Sequence, residues 1–227
     1  FAYLHLGNAL AQNGFLAEAV PFLEKSLLYN KDNLFAETLA IYVQLGLNDD
    51  FPIAYQRFQV LLDKDSSFLS TLQETAKIAL YQRKYEEAWD YYSRFLASRE
   101  RTGLEVYQGE EINIAFVLDQ MGRHTEAERF KASYYRYIQT EESLYRDLGF
   151  AAYYASIGEK AKAVASLKAF AQQDSYQYWI VLYIERDPMF QDLMSEPDYA
   201  ATIQLIKDNF WQQHQKMRVE LEEEGLI

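Results

Sequence analysis

The chain contains no cysteine, so disulfides and thiolate chemistry are excluded, while the redox compartment stays undetermined. Only 9 glycines and 4 prolines occur in 227 residues, with no low-complexity tract, which leaves no room for a flexible linker and favours one continuous domain. No run approaches the roughly 20 consecutive apolar residues that a membrane-spanning helix needs, so membrane insertion is not expected. Positive charge is in deficit too. With 22 Lys and Arg against 34 Asp and Glu, the net charge is -12. That balance argues against nucleic acid or an anionic membrane as the main partner and suits a neutral or basic protein surface.

Chemistry-bearing residues are equally sparse. The three histidines, His5, His124 and His214, lie far apart, and none has Cys, Asp or Glu at metal-ligand spacing. They read as surface or groove-lining imidazoles. Glycines sit singly at helix ends or helix contacts, so no phosphate-cradling loop or nucleophile elbow forms. No catalytic residue, no metal and no cofactor is expected. Period-two alternation is lacking, and the one β-looking string, Trp179 to Ile184, sits in a helical context. The fold should be nearly all helix.

What the chain does have is amphipathic hairpins. In the first 31 residues Tyr3, Leu6 and Leu10 recur at helical spacing around the small Gly7 and Ala9, Gly14 ends the run, and Ala19, Leu23 and Leu27 stripe a second helix. Pro21 falls inside that second helix, where it should bend it. One such hairpin cannot bury its own apolar face and needs stacked neighbours. The small residue of the second helix returns as Ala19, Ala54, Ala88, Ala127 and Ala163, at spacings of 35, 34, 39 and 36. Five units follow, at about 1–31, 33–64, 68–99, 104–139 and 142–173.

In the second unit Leu39, Tyr42 and Gly46 should close the first helix, with Leu47 to Pro52 as a loop insertion. The extra residues of the fourth unit fall in its approach, Arg101 to Gly109. Aromatic side chains make up 16% of the chain. At helical spacing, Tyr91, Tyr92, Tyr134, Tyr135, Tyr153 and Tyr154 read as core packing rather than a ligand platform.

After the fifth unit the pattern changes. Ser175 to Glu185 suggests one further helix. Asp187-Pro188 reads as an N-cap followed by proline at a first helical position, opening a short helix to Met194. From Ser195-Glu196-Pro197-Asp198 onward, Tyr199, Ile203, Ile206, Phe210, His214, Met217 and Leu221 follow at steps of 4, 3, 4, 4, 3 and 4. This is a long helix with a narrow apolar seam. It either caps the last repeat or forms a coiled-coil homodimer.

The order Leu6, Gly7, Leu10, Gly14, Phe15, Ala19, Leu23 resembles the tetratricopeptide repeat, a helix-turn-helix unit of roughly 34 residues. The resemblance implies an all-α, right-handed solenoid of about five such repeats over 1–174, with a C-terminal helical cap over 175–227 continuous with it. The stretch Arg186 to Tyr199 resembles the closing segment of repeat arrays in bacterial multidomain regulators. Because the chain starts at Phe1 and enters a helix almost at once, an excised or processed segment is expected. Phe1 and Tyr3 would then present an apolar face normally covered by preceding sequence.

In the resembled family the first helix of each unit lines the concave surface, where peptides or helices lie. Carried onto this sequence, the groove-facing positions are Leu4, His5, Asn8 and Gln12; Ala36, Glu37, Ala40 and Gln44; and Gln73, Glu74 and Lys77. Further along they are Ile112, Asn113, Phe116 and Gln120, then Leu148, Gly149 and Ala152. Amides at Asn8, Gln12, Gln44, Gln73, Asn113 and Gln120 suit hydrogen bonding to a peptide backbone, and Phe116, Ile112 and Leu148 suit side-chain anchoring.

The carboxylate clamp of one subgroup is rejected, since Glu37 and Glu74 stand where it needs Asn or a cation. The expected function is a protein- or peptide-binding scaffold for a neutral or basic segment, salt-sensitive because of the groove glutamates. The alternative is a sensory or regulatory ligand-binding module of a bacterial transcription regulator, cyclase or kinase. The compartment stays unknown from the sequence; a cytoplasmic one is favoured, subject to any targeting sequence upstream of Phe1.

Overall fold

A computed structural model describes residues 2–104, 106–173 and 175–227. Phe1, Glu105 and Asp174, which the expected unit boundaries include, lie outside the described residues. The chain divides into two compact units, Phe1–Val106 and Tyr107–Ile227. Continuity of one array from 1 to 174 remains a proposal from the sequence.

The first unit holds three hairpins: α1 (Ala2–Gln12) with α2 (Leu16–Tyr29), α3 (Leu34–Asn48) with α4 (Phe51–Lys64), and α5 (Leu69–Tyr81) with α6 (Tyr85–Thr102). The second begins with a 3-10 turn at Gln108–Glu110 and holds α7 (Glu111–Gln120) with α8 (His124–Thr140) and α9 (Arg146–Ser156) with α10 (Lys160–Phe170). It ends with α11 (Tyr178–Tyr183), a 3-10 helix Pro188–Ser195 and α12 (Tyr199–Glu223). Among the described residues there is no strand.

One turn geometry recurs in all five hairpins. Gly14, Asp49, Arg83, Gly122 and Gly158 all take positive φ, at 82, 56, 58, 73 and 77° respectively. Each stands five positions ahead of the alanines named above, which are buried throughout, at 0 to 3% exposure. The left-handed residue reverses the chain and turns the following N–H groups back onto the last carbonyls of the first helix. In four hairpins the next N–H reaches back five residues: Phe15 to Leu10, Lys84 to Ala79, Arg123 to Leu118 and Glu159 to Tyr154, at 2.8–3.0 Å. The buried alanine then lets the two helices close on each other.

In the first hairpin that approach is close. A Cβ on Gly7 would stand 2.7 Å from Leu23 Cδ2 and 2.9 Å from Leu23 Cγ. The expected inward face of α1 is nevertheless rotated. Leu4, Gly7 and Ala11 are the buried residues, while Tyr3 and Leu6 are 36% and 49% exposed. Apolar residues surround this helix, so spacing alone allows either stripe, and the contact of Gly7 with α2 selects one.

The loop insertion expected at Leu47 to Pro52 is absent. Asn48 bonds back from Nδ2 to Gln44 Oε1 (3.1 Å), α3 runs past Gly46, and Asp50 accepts from the Ile53 N–H (2.9 Å) to start α4. The extra residues have become helix, leaving a two-residue turn. Pro21 does lie inside α2, and Asp187 caps the 3-10 helix through the Met189 N–H (2.9 Å).

The second unit is sealed by the first half of α12. Tyr199, Ile203, Ile206 and Phe210 are buried. Asn209 Nδ2 donates to the Ala171 carbonyl at the end of α10 (2.8 Å), the Tyr176 hydroxyl donates to the Ile206 carbonyl, and Lys168 pairs with Asp198 (2.7 Å).

Candidate functional site

The first helices of successive hairpins adjoin within each unit: α1 beside α3, α3 beside α5, and α7 beside α9. A buried bond between the Thr38 and Thr71 hydroxyls (3.0 Å) ties α3 to α5. This side-by-side setting places the expected groove positions of the first unit on neighbouring helices.

Not all of those positions are open to solvent. Leu4, Ala36 and Gln73 are buried, at 6%, 0% and 6% exposure, and belong to the core of the first unit; Ile112, at 4%, belongs to that of the second. Gly149 faces α8 instead of a groove, since a Cβ there would meet Ile138 Cγ2 at 3.0 Å and the Tyr134 hydroxyl at 3.1 Å. In each case the requirement for helix contact claims the residue.

Asn8, Gln12, Glu37, Ala40, Gln44, Glu74 and Lys77 remain half-buried on α1, α3 and α5, and His5 is exposed. Gln12 Nε2 donates to Asn8 Oδ1 (3.3 Å), which leaves the N–H pair of Asn8 in supply. Gln12 Oε1 is buried with no partner among the described residues. Gln44 accepts from Asn48, as above. The two glutamates are not open charges: Glu37 pairs with Lys64 of α4 at 2.7 Å, and Glu74 with Lys77 at 3.5 Å. The local basis for a basic ligand is thereby largely neutralised.

In the second unit Asn113 donates to Glu110 (3.1 Å), Gln120 is exposed, and Leu148 and Ala152 are half-buried. Phe116 packs against a buried cluster of Ile112, Tyr134, Ile138 and Met189, together with Tyr135, Phe150 and Tyr153. Of the tyrosines assigned to the core, Tyr92 and Tyr134 are buried, but Tyr91, Tyr135, Tyr153 and Tyr154 stay half-buried. Tyr135 stacks on Tyr153 with ring centres 4.5 Å apart, and Phe150 on Tyr154 at 6.0 Å. Arg146 lies over Phe150 (5.6 Å) and Lys162 over Tyr154 (5.5 Å). The sequence displayed this aromatic face, but helical spacing alone did not separate its half-exposed members from the core.

Sequence reading also missed a charged network on α7 and α8. Lys131, 7% exposed, lies 2.6 Å from Asp119 and 2.9 Å from Glu128, while His124 Nδ1 is 2.9 Å from Asp119. Burial opposes the ammonium, but its bonds to Asp119 and Glu128 outweigh that and raise its pKa. Asp119 and His124 are five residues apart, and the turn at Gly122 folds them together. Among the described residues no group of three His, Asp or Glu is placed to hold a metal ion.

No protein-family model matches the chain, and no curated protein matches it. Among solved structures, one described as the functional characterization of Pseudomonas aeruginosa pilF is similar, with a TM-score of 0.51 and 20% identity over 96% of this chain and 96% of that one. A tetratricopeptide repeat protein from Parabacteroides merdae is 15% identical over 99% of this chain and 88% of that one, with a TM-score of 0.49. Among the described residues the fold is an all-α helical repeat in successive packed pairs, similar to that of the pilF structure.

Proposed function

We propose that the chain is a protein-binding scaffold that takes an extended, neutral peptide segment along the adjoining first helices of its first unit. The observation that carries this reading is the set of half-buried amides, Asn8, Gln12 and Gln44, on the neighbouring helices α1 and α3, with the Asn8 N–H pair in supply and Gln12 Oε1 unpartnered. Amides bond a peptide backbone without demanding a sequence. The paired glutamates argue for a neutral segment over a strongly basic one. Asn113 and Phe116 offer a second, independent contact surface in the other unit.

Panning a displayed library of unstructured peptides on the wild-type chain tests this. Selected peptides should lose tenfold or more in affinity on Asn8→Ala with Gln44→Ala, and keep it on Glu24→Ala, an exposed residue of α2. Equal binding to all three proteins would reject the reading.

A regulatory, small-ligand role draws on a different observation, the half-buried stack of Tyr135, Phe150, Tyr153 and Tyr154. That role predicts that Tyr153→Ala abolishes capture of aromatic compounds in a ligand-detected NMR screen. An unchanged screen would remove its support.

A further inference from the structure

Tyr135 of α8 and Tyr153 of α9 belong to different hairpins, yet their rings stack with centres 4.5 Å apart and planes 30° from parallel. Other tyrosine pairs stand farther apart: Tyr153 and Tyr154 at 5.7 Å, Tyr3 and Tyr29 at 6.0 Å, Tyr55 and Tyr91 at 6.2 Å. Both stacked rings are half-buried, so a small solute reaches them while their neighbours hold them in place. Phe150 meets the Tyr135 ring edge to face at 6.3 Å, and Tyr154 meets Tyr153 in the same manner.

The hydroxyl ends of the pair lie together as well. Burial raises the pKa of Tyr153, and the neighbouring Tyr135 raises it further, which requires the two phenol oxygens to be close in space. With ring centres and oxygens both adjacent, the ring edges that carry the carbons ortho to each hydroxyl run side by side. Those are the carbons at which phenoxyl radicals couple. The chain also lacks the usual sink for oxidising equivalents: it has no cysteine, against 19 tyrosines.

We propose that Tyr135 and Tyr153 form an oxidative crosslinking site, at which a one-electron oxidant of the metal(IV) or peroxidase class joins α8 to α9 through a carbon–carbon bond between the rings. Each phenol gives one electron to the oxidant and its hydroxyl proton to water. The two phenoxyl radicals couple at their ortho carbons, and the hydrogen on each of those carbons then moves to the oxygen of its own ring. The product keeps both hydroxyls and is lighter by two hydrogens, with two equivalents of oxidant reduced. This bond ties the hairpin of α7 and α8 to that of α9 and α10. Ligand binding plays no part in it.

Treating the full chain at low micromolar concentration with two equivalents of hexachloroiridate(IV) tests the site. The monomer fraction should gain dityrosine fluorescence, and tryptic digestion should release one species joining residues 132–136 to 147–160, two hydrogens lighter than their sum. Tyr135→Phe and Tyr153→Phe each keep a ring in the stack but cannot form the phenoxyl radical, and each should lose that species. Tyr154→Phe should keep it. The crosslinked monomer should also unfold at a higher temperature than oxidised Tyr153→Phe. Survival of the joined species in Tyr135→Phe or Tyr153→Phe would overturn the proposal, as would its loss in Tyr154→Phe or an equal unfolding temperature. So would dityrosine confined to dimers or to Tyr3 and Tyr29, or none at all once the oxidant is consumed.

Discussion

At the scale of single residues the five hairpin turns set up a natural comparison. Three use glycine in the left-handed conformation, one uses Asp49 and one Arg83 (φ 58°). A non-glycine residue in that conformation carries a steric cost of about 1–2 kcal/mol, partly offset because glycine loses more freedom on folding. Arg83→Gly should therefore stabilise the chain by about 0.5–1 kcal/mol, read as a rise in urea midpoint. Asp49→Gly should gain less, since aspartate tolerates this region. Opposite in sign is Gly7→Leu, which inserts a side chain where Leu23 already stands and should cost roughly 1–3 kcal/mol. Ala163→Leu, at 0% exposure, should behave alike. Unchanged thermal unfolding in both would refute the close helix approach that organises the repeat.

At the scale of elements, the seal between α12 and the end of the second unit has its own signature in pH. Tyr199 sits buried at the start of α12, and burial, with Asp187 and Glu185 adding to it, pushes its hydroxyl up to about 12 from 10.0. Burial raises Tyr176 to about 12 as well, against the opposing effect of a hydrogen bond with the Phe210 backbone. The folded state thus holds these protons after the unfolded chain has released them. Their contribution is complete below pH 10 and drains as pH rises from about 10 through 12, by up to about 1.4 kcal/mol per pH unit for each group. Tyr199→Phe should flatten that alkaline limb in urea titrations at about pH 9 and about pH 11. If wild type and variant lost the same stability, the phenol would not be titrating within the seal.

How far the elements were legible follows from the same local logic. Hairpin positions could be read because the turn residue and the alanine five places later are both encoded in one short stretch. The insertion at Leu47 to Pro52 was misread because Asn48, Asp49 and Asp50 are turn formers by composition. Only the bond from Asn48 to Gln44 and the cap by Asp50 show that two of the three complete helices instead. Of the groove positions assigned on the first helices, Asn8, Gln44 and Lys77 are half-buried. Leu4, Ala36, Gln73 and Ile112 are instead buried, and Gly149 faces α8, where a neighbouring helix takes the space.

For the whole molecule, the balance of -12 describes a long-range field, not the groove. With Glu37 and Glu74 each within 3.5 Å of a lysine, the affinity of a bound neutral peptide should change less than about threefold between about 50 and 500 mM salt, since surface pairs of this kind contribute roughly 0–1 kcal/mol. Calorimetric titration at both salts checks this. A steep loss would return the glutamates to a direct role and favour a basic ligand.

Taken alone, the sequence determined the helical class and the number of hairpins, because each depends on residues within one or two turns of each other. Tertiary structure decided which stripe of α1 faces inward, that the groove glutamates are already paired, and that α12 leaves its support after Phe210. Those outcomes depend on atoms brought together from distant positions, such as Leu23 against Gly7, Lys64 against Glu37 and Ala171 against Asn209, and no local pattern contains them.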